Sequence, residues 1–322
     1  MLAVKVFAED VARRIKDYLP PEYQNADYKI REQNKTNGVL QVGIQVDIPG
    51  RHTAPIIYME SFYDEAREGR EIDKIMDMIA ETIQQAMNDP VLDDDFRLDD
   101  FEMVKEYLTV MVVNTAENRK VLENVPHKDI ADLSVLCYVD LPTEVTGHTA
   151  TVKVNNEILE QWGVSREEVF QNAENNTKSA NKPVLQELEK VAIQSIMGGE
   201  EPENLLLGNM ESFRERDTVF ILSNAKRNFG AAMMFEPKVM DKISQAFPEG
   251  FYILPSSLHE VLIVPDRGEI SPRELGEMVR EVNQKEVDKT EQLSDRVYRY
   301  DKEKQQIISV PESIERGKEI TR

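Results

Sequence analysis

The sequence predicts an α+β fold in two lobes, with mixed and mainly antiparallel sheets flanked by helices. Amphipathic helical patterns are interleaved with short apolar alternations that are typical of strands. Several of the predicted strands lie too close along the chain for a crossover helix to join them, which favours antiparallel pairing. A chain of 322 residues with 40% apolar residues is also long enough to build two hydrophobic cores.

The first predicted lobe, residues 1–102, begins with a helix. Apolar residues recur at steps of three and four over 3–18, which predicts an amphipathic helix that ends at the Pro-Pro pair 20–21. Two strands are predicted around Asn37 and Gly38, because Asn-Gly supplies the positive φ angles of a tight hairpin.

The rest of this lobe is predicted as a strand at 53–60, a long helix at 70–88 and an acidic linker at 89–102. The helix has a single apolar stripe, which indicates a core contact. The linker carries six aspartates and one glutamate, but it lacks the Asp-x-Asp-x-Asp-Gly spacing that wraps calcium. We therefore interpret it as a solvated connection.

The second predicted domain, residues 103–309, mixes strands with helices and precedes a charged tail at 310–322. Two of its helices should begin with capping boxes, Ser165 with Glu168 and Ser271 with Glu274. The predicted strands are 107–113, 132–141, 148–154, 218–223, 251–254 and 259–264, with a final hairpin at 295–309. One predicted helix begins at Ser165. The others span 184–196, Pro237–Phe247 and 271–284.

Acidic residues outnumber basic ones by 60 to 39, which gives a formal net charge of −21. Such a surface repels the phosphates of nucleic acids and of anionic lipids. The sequence therefore predicts no direct nucleic-acid binding and no membrane association. An alternative interpretation of the acidity is mimicry of a nucleic acid toward a basic partner.

Cysteine and histidine content limits the redox and metal chemistry. Cys137 is the one cysteine, so an intrachain disulfide is excluded and a reducing cytoplasm is favoured. The N-terminal residues lack the apolar core of a signal peptide, and no apolar run is long enough to cross a bilayer. The four histidines are scattered without the spacing of a metal site: His52, His127, His148 and His259. We expect a cytoplasmic protein without a metal or cofactor.

The turn at 255–260, PSSLHE, places hydroxyl, imidazole and carboxylate groups between two apolar runs. A hydrolase would use Ser256 or Ser257 as the nucleophile and His259 as the base. However, no Gly-x-Ser-x-Gly elbow is present, and in a strand at 259–264 His259 and Glu260 would point to opposite faces. Proline and paired serines are also what a simple turn requires. The pattern favours a structural or ligand-contacting turn over a catalytic relay.

A second polar loop, residues 223–232, follows the strand predicted at 218–223. Its Asn224, Arg227 and Asn228 offer amide and guanidinium groups that suit a carboxylate or phosphate. The loop matches neither a Walker A motif nor the dinucleotide fingerprint. A plain connection with its basic residues in solvent is the alternative.

Short motifs spread along the chain carry a family resemblance. They are NKTNGV (34–39), PIIY (55–58), ILSN (221–224), FGA (229–231), YILPSSLHEV (252–261), EVN (281–283), LSD (293–295) and VY (297–298). Together they resemble an uncharacterised family of domain-of-unknown-function proteins from gut Clostridia, over about residues 25–300. The second half is also distantly similar to the YtpQ-like proteins of Bacilli, whose corresponding turn carries Pro-Ser-Arg-Asp, so that His259 departs from the wider group.

The resemblance implies a cytoplasmic protein of Firmicutes bacteria and brings no catalytic residues with it. It also implies that the motifs at 223–231, 255–260 and 281–295 form one surface. The sequence as a whole favours a non-catalytic cytoplasmic interaction or regulatory protein that binds a protein or a small anionic ligand. The predicted ligand-binding residues, all in the C-terminal domain, are Asn224, Arg227, Asn228, Ser256, Ser257 and His259. The alternatives are a serine-dependent hydrolase, which would use Ser256 or Ser257 with His259, and an acidic nucleic-acid mimic.

Overall fold

The computed structural model describes residues 2–49, 54–88, 97–141, 150–179, 182–216, 218–255 and 257–311. The chain divides into two compact units, Met1–Arg97 with Leu141–Ala150 and Leu98–Asp140 with Thr151–Arg322. Both units contain helices and antiparallel strands, so the predicted α+β fold is confirmed.

The first unit packs helices against a three-stranded antiparallel sheet with the order β1-β2-β3. The helices are α1 (Leu2–Arg14), α2 (Glu60–Arg67) and α3 (Ile72–Asn88), and the strands are β1 (Asp27–Asn34), β2 (Leu40–Asp47) and β3 (Ile56–Tyr58). The apolar stripe of α3 supplies much of the core. Ile75, Ile79 and Ile83 are fully buried in one cluster with Val11 of α1 and Ile44 of β2.

The hairpin that joins β1 to β2 turns at Asn37 and Gly38, as predicted. Their φ angles are 59° and 65°, and the Lys35 amide donates to the Val39 carbonyl at 2.7 Å. Positive φ at both positions is the geometry that Asn-Gly adopts with little strain.

The second unit contains a four-stranded sheet with the order β4-β6-β5, in which β7 also pairs with β6. The strands are β4 (Leu108–Asn114), β5 (His127–Ile130), β6 (Leu133–Leu141) and β7 (Ala150–Lys153). The described helices of this part of the chain are α4 (Phe101–Val104), α5 (Arg119–Leu122), α6 (Asn156–Trp162) and α7 (Arg166–Ser179).

The same unit contains a six-stranded antiparallel sheet with the order β13-β12-β10-β11-β9-β8. The strands are β8 (Pro183–Glu187), β9 (Phe220–Asn224), β10 (Phe251–Leu254), β11 (Val261–Pro265), β12 (Tyr298–Asp301) and β13 (Gln306–Ser309). The helices are α8 (Leu188–Met197), α9 (Pro237–Ala246) and α10 (Pro272–Lys285), and a 3₁₀ segment spans Gly230–Phe235.

The capping box predicted for α10 is confirmed. Ser271 Oγ accepts from the Glu274 amide at 3.3 Å, and Glu274 Oε2 accepts from the Ser271 amide at 2.8 Å. At α7, Ser165 Oγ accepts from the Glu168 amide at 3.1 Å.

The helix predicted at 184–196 is wrong over its first residues. Pro183–Glu187 forms β8, whose backbone pairs with β9, and α8 begins only at Leu188. The local pattern suits both structures, and the partner strand decides between them because it satisfies the backbone amides and carbonyls of β8.

Three further predictions need correction. The strand expected at 53–60 is limited to Ile56–Tyr58, and an unpredicted helix, α2, begins at Glu60. The last residues of the expected acidic linker instead begin α4, where the Asp100 carboxylate caps the Glu102 amide at 3.1 Å, while residues 89–96 lie outside the described residues. The strand expected at 259–264 begins at Val261, so His259 and Glu260 belong to the turn.

Candidate functional site

The ends of three neighbouring strands, β8, β9 and β11, lie side by side at the same end of the six-stranded sheet. Strand β9 lies between β8 and β11 and is antiparallel to both, with Asn224 opposite Pro183 and Leu222 opposite Val261. The loop that leaves β9 and the turn that enters β11 therefore emerge side by side.

Hydrogen bonds that involve main-chain groups join this loop to the turn. Ser223 Oγ donates to the His259 carbonyl at 2.7 Å, and the Ala231 amide donates to the Leu258 carbonyl at 3.2 Å. The Phe229 amide donates to Nδ1 of the His259 ring at 3.2 Å. The polar groups of the two predicted motifs thus lie together.

The side chain of Asn224 bonds the main chain of the loop at Asn228 and so fixes the conformation of the loop. Its side chain is buried, its Oδ1 accepts from the Asn228 amide at 3.2 Å, and its Nδ2 donates to the Asn228 carbonyl at 2.7 Å. Arg227 lies within the segment that these bonds close, and Phe229 directly follows it. The two residues adopt φ angles of 52° and 53°. Non-glycine residues in this left-handed region are strained, and such strain is concentrated at functional sites.

The two cations of the loop already have partners. Lys226 Nζ lies 2.5 Å from Oδ2 of Asp140, whose side chain is buried. Arg227 donates to Gln186 Oε1 at 2.8 Å and lies 3.5 Å from Glu201 Oε1. The Arg227–Glu201 pair is exposed on both sides, so it contributes little stability and a ligand could displace Glu201 at low cost.

Both nitrogens and one face of the His259 imidazole already contact other groups of the protein. A neutral ring that accepts at Nδ1 carries its proton at Nε2, and this atom lies 3.5 Å from Glu291 Oε1. The ring also stacks on Phe229 with centroids 5.3 Å apart. Ser257 Oγ accepts from the main-chain amide of His259 at 3.0 Å, so this bond is to the backbone of that residue and not to its ring.

Glu260 is a feature of the site that the sequence-based prediction omitted. Its side chain is partly buried and, among the described residues, its carboxylate has no hydrogen bond or ion pair. Partial burial raises the pKa of the Glu260 carboxyl, against the opposing effect of Arg227 and His259. A half-buried carboxylate that receives no donor can accept one from a ligand.

The third motif, at 281–295, lies against the turn. Ser257 pairs with Gln292, and the Leu258 amide donates to the Glu291 carbonyl at 2.8 Å. Asn283 of α10 anchors this segment, because its Nδ2 donates to Asp295 Oδ1 at 2.7 Å while its Oδ1 is buried without a hydrogen bond.

The described members of the predicted site, five of six, lie on these two neighbouring segments: Asn224, Arg227, Asn228, Ser257 and His259. Ser256 lies outside the described residues. The backbone contacts of Asn224 and Ser257 make them supports of the loop and turn. Arg227 and Glu260 are better placed for a ligand, and Glu260 could have been found from the sequence only if the start of β11 had been predicted at Val261.

The raised pKa of Glu260 gives a pH-dependent prediction. The folded protein holds the Glu260 proton more tightly than the unfolded chain does, so this group lowers the free energy of unfolding as the pH rises above the ordinary glutamate range. We expect Glu260→Gln to gain stability over the parent at about pH 7 and to lose most of that gain at about pH 4, in urea unfolding followed by circular dichroism.

A matched control for this prediction is Glu303→Gln, in the exposed turn between β12 and β13. It removes the same charge without removing a partly buried carboxylate, so its effect should be small at both pH values. Equal pH dependence of the two variants would contradict the role given to burial.

The comparisons with known proteins place the chain in a family. A model described as a family of unknown function, DUF5688, matches residues 4–302. The chain belongs to this family. The match spans the three strand ends and all three motifs of the candidate site and ends before β13 of this DUF5688 chain. No curated protein and no solved structure matches it.

Among the described residues, neither a metal-binding group of side chains nor a membrane-spanning helix is present. Within 2–311, apart from the ranges left undescribed, no group of three or more His, Cys, Asp or Glu side chains is arranged to hold a metal ion. Over the same part of this DUF5688 chain, no helix is long and apolar enough to span a membrane.

Proposed function

We propose that this DUF5688 chain is a cytoplasmic, non-catalytic interaction or regulatory protein that binds its ligand at the polar rim of the second unit. The proposed site comprises Asn224, Arg227, Asn228, Ser256, Ser257 and His259, with Glu260 added. The observation that carries the proposal is the bond between the Phe229 amide and His259 Nδ1. It occupies the imidazole lone pair, while the exposed Glu201 partner of Arg227 is exchangeable and Glu260 has no donor within the described part of the chain.

The ligand chemistry follows from these two side chains. An anionic group can replace the exposed Glu201 carboxylate on the Arg227 guanidinium, because guanidinium binds carboxylates and phosphates in a two-pronged geometry. An N–H or O–H donor on the same ligand would satisfy the Glu260 carboxylate. This combination describes a small anionic molecule with a donor group, or an acidic segment of a partner protein.

A hydrolase would need a different arrangement. A serine nucleophile requires an imidazole lone pair directed at its hydroxyl and a third group that orients the base. Here the lone pair at Nδ1 accepts from the backbone, and Nε2 faces the Glu291 carboxylate. These contacts support binding over proton transfer.

The test begins with a thermal-shift screen of small carboxylates and phosphates against the intact protein. We expect at least one anion to stabilise it, and we expect Arg227→Gln to weaken that binding by roughly 10- to 100-fold through loss of a charged hydrogen-bonding group. Glu201→Gln is the matched control: it removes the competing carboxylate, so affinity should stay the same or rise.

A second variant separates binding from catalysis. In His259→Asn, the amide oxygen can accept from the Phe229 amide as Nδ1 does, but the side chain cannot act as a general base. We expect this variant to keep its affinity and neither protein to hydrolyse esters. Ester hydrolysis that is present in the parent and abolished in His259→Asn would overturn the proposal, as would unchanged anion binding in Arg227→Gln.

A further inference from the structure

The two edge strands of the six-stranded sheet, β8 and β13, differ in how their outward peptide groups are bonded. At the β8 edge, Asn204 takes the place of a neighbouring strand: its Oδ1 accepts from the Leu185 amide at 3.1 Å, and its Nδ2 donates to the Pro183 carbonyl at 3.0 Å. One amide side chain thus bonds two of the outward peptide groups of β8, the Leu185 amide and the Pro183 carbonyl, and so covers this edge in part.

The opposite edge, β13, is not covered in this way. The Val310 amide donates to the Val297 carbonyl at 2.8 Å, and hydrogen-bonded pairs alternate along an antiparallel ladder. Ile308 and Gln306 therefore bond to β12, while the amides and carbonyls of Ile307 and Ser309 point away from it. Among the described residues, no strand pairs with this outer edge.

A groove runs along the β13 edge. It encloses about 570 Å³, within the range of ligand-binding clefts. All four residues of β13 line it, although their side chains alternate between faces, so the groove follows the edge of the strand and not one face. Its other walls are Asp129, Ile130, Ala131, Met234, Phe235, Pro237, Tyr300 and Gln305.

The lining indicates the chemistry of an occupant. Outward amides and carbonyls on alternate residues match the spacing of another peptide backbone. Apolar side chains such as Ile130 and Phe235, both partly exposed, suit every second side chain of an extended segment. Asp129 is the one lining residue with a formal charge, and the whole chain carries −21, so basic segments are favoured.

We propose that β13 is a strand-addition site, where an extended segment of a partner protein with alternating basic and apolar residues pairs as a seventh strand. The amides and carbonyls of Ile307 and Ser309 bind its backbone, the groove takes its apolar side chains, and Asp129 attracts a lysine or arginine. This surface shares no residue with the rim at Arg227 and Glu260. Either proposal can therefore be rejected without affecting the other.

The test uses the peptide acetyl-Lys-Val-Lys-Val-Lys-amide as the probe, titrated into the isotopically labelled full chain and followed by NMR. Proline is tolerated at an edge position whose amide points outward, so Ser309→Pro removes one donor without breaking the β12 ladder. We expect Ser309→Pro to weaken probe binding by about tenfold or more and the matched Ser309→Ala to stay within about twofold.

Two further probes make the outcome independent of any folding defect in the variant. A version of the peptide that is N-methylated at alternate amides should not bind, and acetyl-Glu-Val-Glu-Val-Glu-amide should bind much more weakly than the lysine peptide. The proposal fails if the lysine peptide does not bind, if its N-methylated form binds equally well, if the acidic peptide binds as tightly, or if a folded Ser309→Pro protein keeps the parent affinity.

Discussion

Replacing Gly230 with alanine is expected to destabilise the second unit by about 3 kcal/mol or more, because overpacking against fixed backbone is at the costly end of core substitutions. A Cβ at this position would lie 2.6 Å from both the Asn224 amide nitrogen and the His259 carbonyl oxygen. Neither atom can rotate away, so the loop after β9 and the turn before β11 must separate. Urea unfolding would measure the stability, and the thermal-shift screen would show whether anion binding is lost with it.

Gly208→Ala provides the matched control for Gly230→Ala. There the nearest atom to a new Cβ, the Leu205 carbonyl oxygen, is 3.7 Å away, which is an ordinary contact. We expect a change of no more than about 0.5 kcal/mol, since alanine also reduces the entropy of the unfolded chain. If the two alanine variants were equally stable, the close approach of loop and turn would be wrong.

The second large effect is expected for Tyr298→Phe on β12. The Tyr298 hydroxyl is buried, donates to Asp132 Oδ1 at 2.6 Å and lies 2.9 Å from Ser294 Oγ. Phenylalanine fills the same space but leaves both oxygens short of a partner, which should cost about 1–3 kcal/mol. The Arg296 Nε, 3.3 Å from Asp132 Oδ2, keeps the carboxylate from being left entirely unpaired.

The pH dependence provides a second readout for Tyr298. Burial and the hydrogen bond to Asp132 raise the pKa of Tyr298 above its ordinary value of 10.0. The unfolded chain therefore loses this proton first, and the parent loses stability as the pH rises above about 10. The Tyr298→Phe variant lacks that loss, so the gap between the two proteins should narrow in alkali.

Tyr300→Phe serves as the control on the same strand. Tyr300 is only partly buried, and its hydroxyl donates to Asp241 Oδ1 at 2.9 Å. Water can replace that bond, so we expect a cost below about 1 kcal/mol at neutral pH. Equal losses for the two phenylalanine variants would show that the buried network around Asp132 contributes no more than a surface hydrogen bond.

The parts of the fold that the sequence predicted well depend on local chemistry. The φ angles at Asn37 and Gly38, the capping box at Ser271 and the buried stripe of α3 each follow from residues within one turn or one hairpin. Antiparallel pairing also followed from short spacing between strands. These features together were enough to predict an α+β fold.

The features that the sequence missed depend on distant partners. Residues 183–187 form a strand because β9 lies beside them, and the start of β11 at Val261 is set by its register with β9. At the candidate site, residue types were predictable but hydrogen bonds were not. A sequence contains no sign that Nδ1 of His259 accepts from an amide 30 positions away, or that no described residue donates to Glu260.

The asymmetry between the sheet edges also limits how copies of this chain could associate. Growth of a fibre by strand pairing requires two usable sides on every molecule, since each unit must both receive and offer a strand. Within the described part of the six-stranded sheet, Asn204 already bonds the Leu185 amide and the Pro183 carbonyl of β8. Pairing of copies through β8 would therefore have to displace Asn204, which disfavours open-ended polymerisation while β13 stays available.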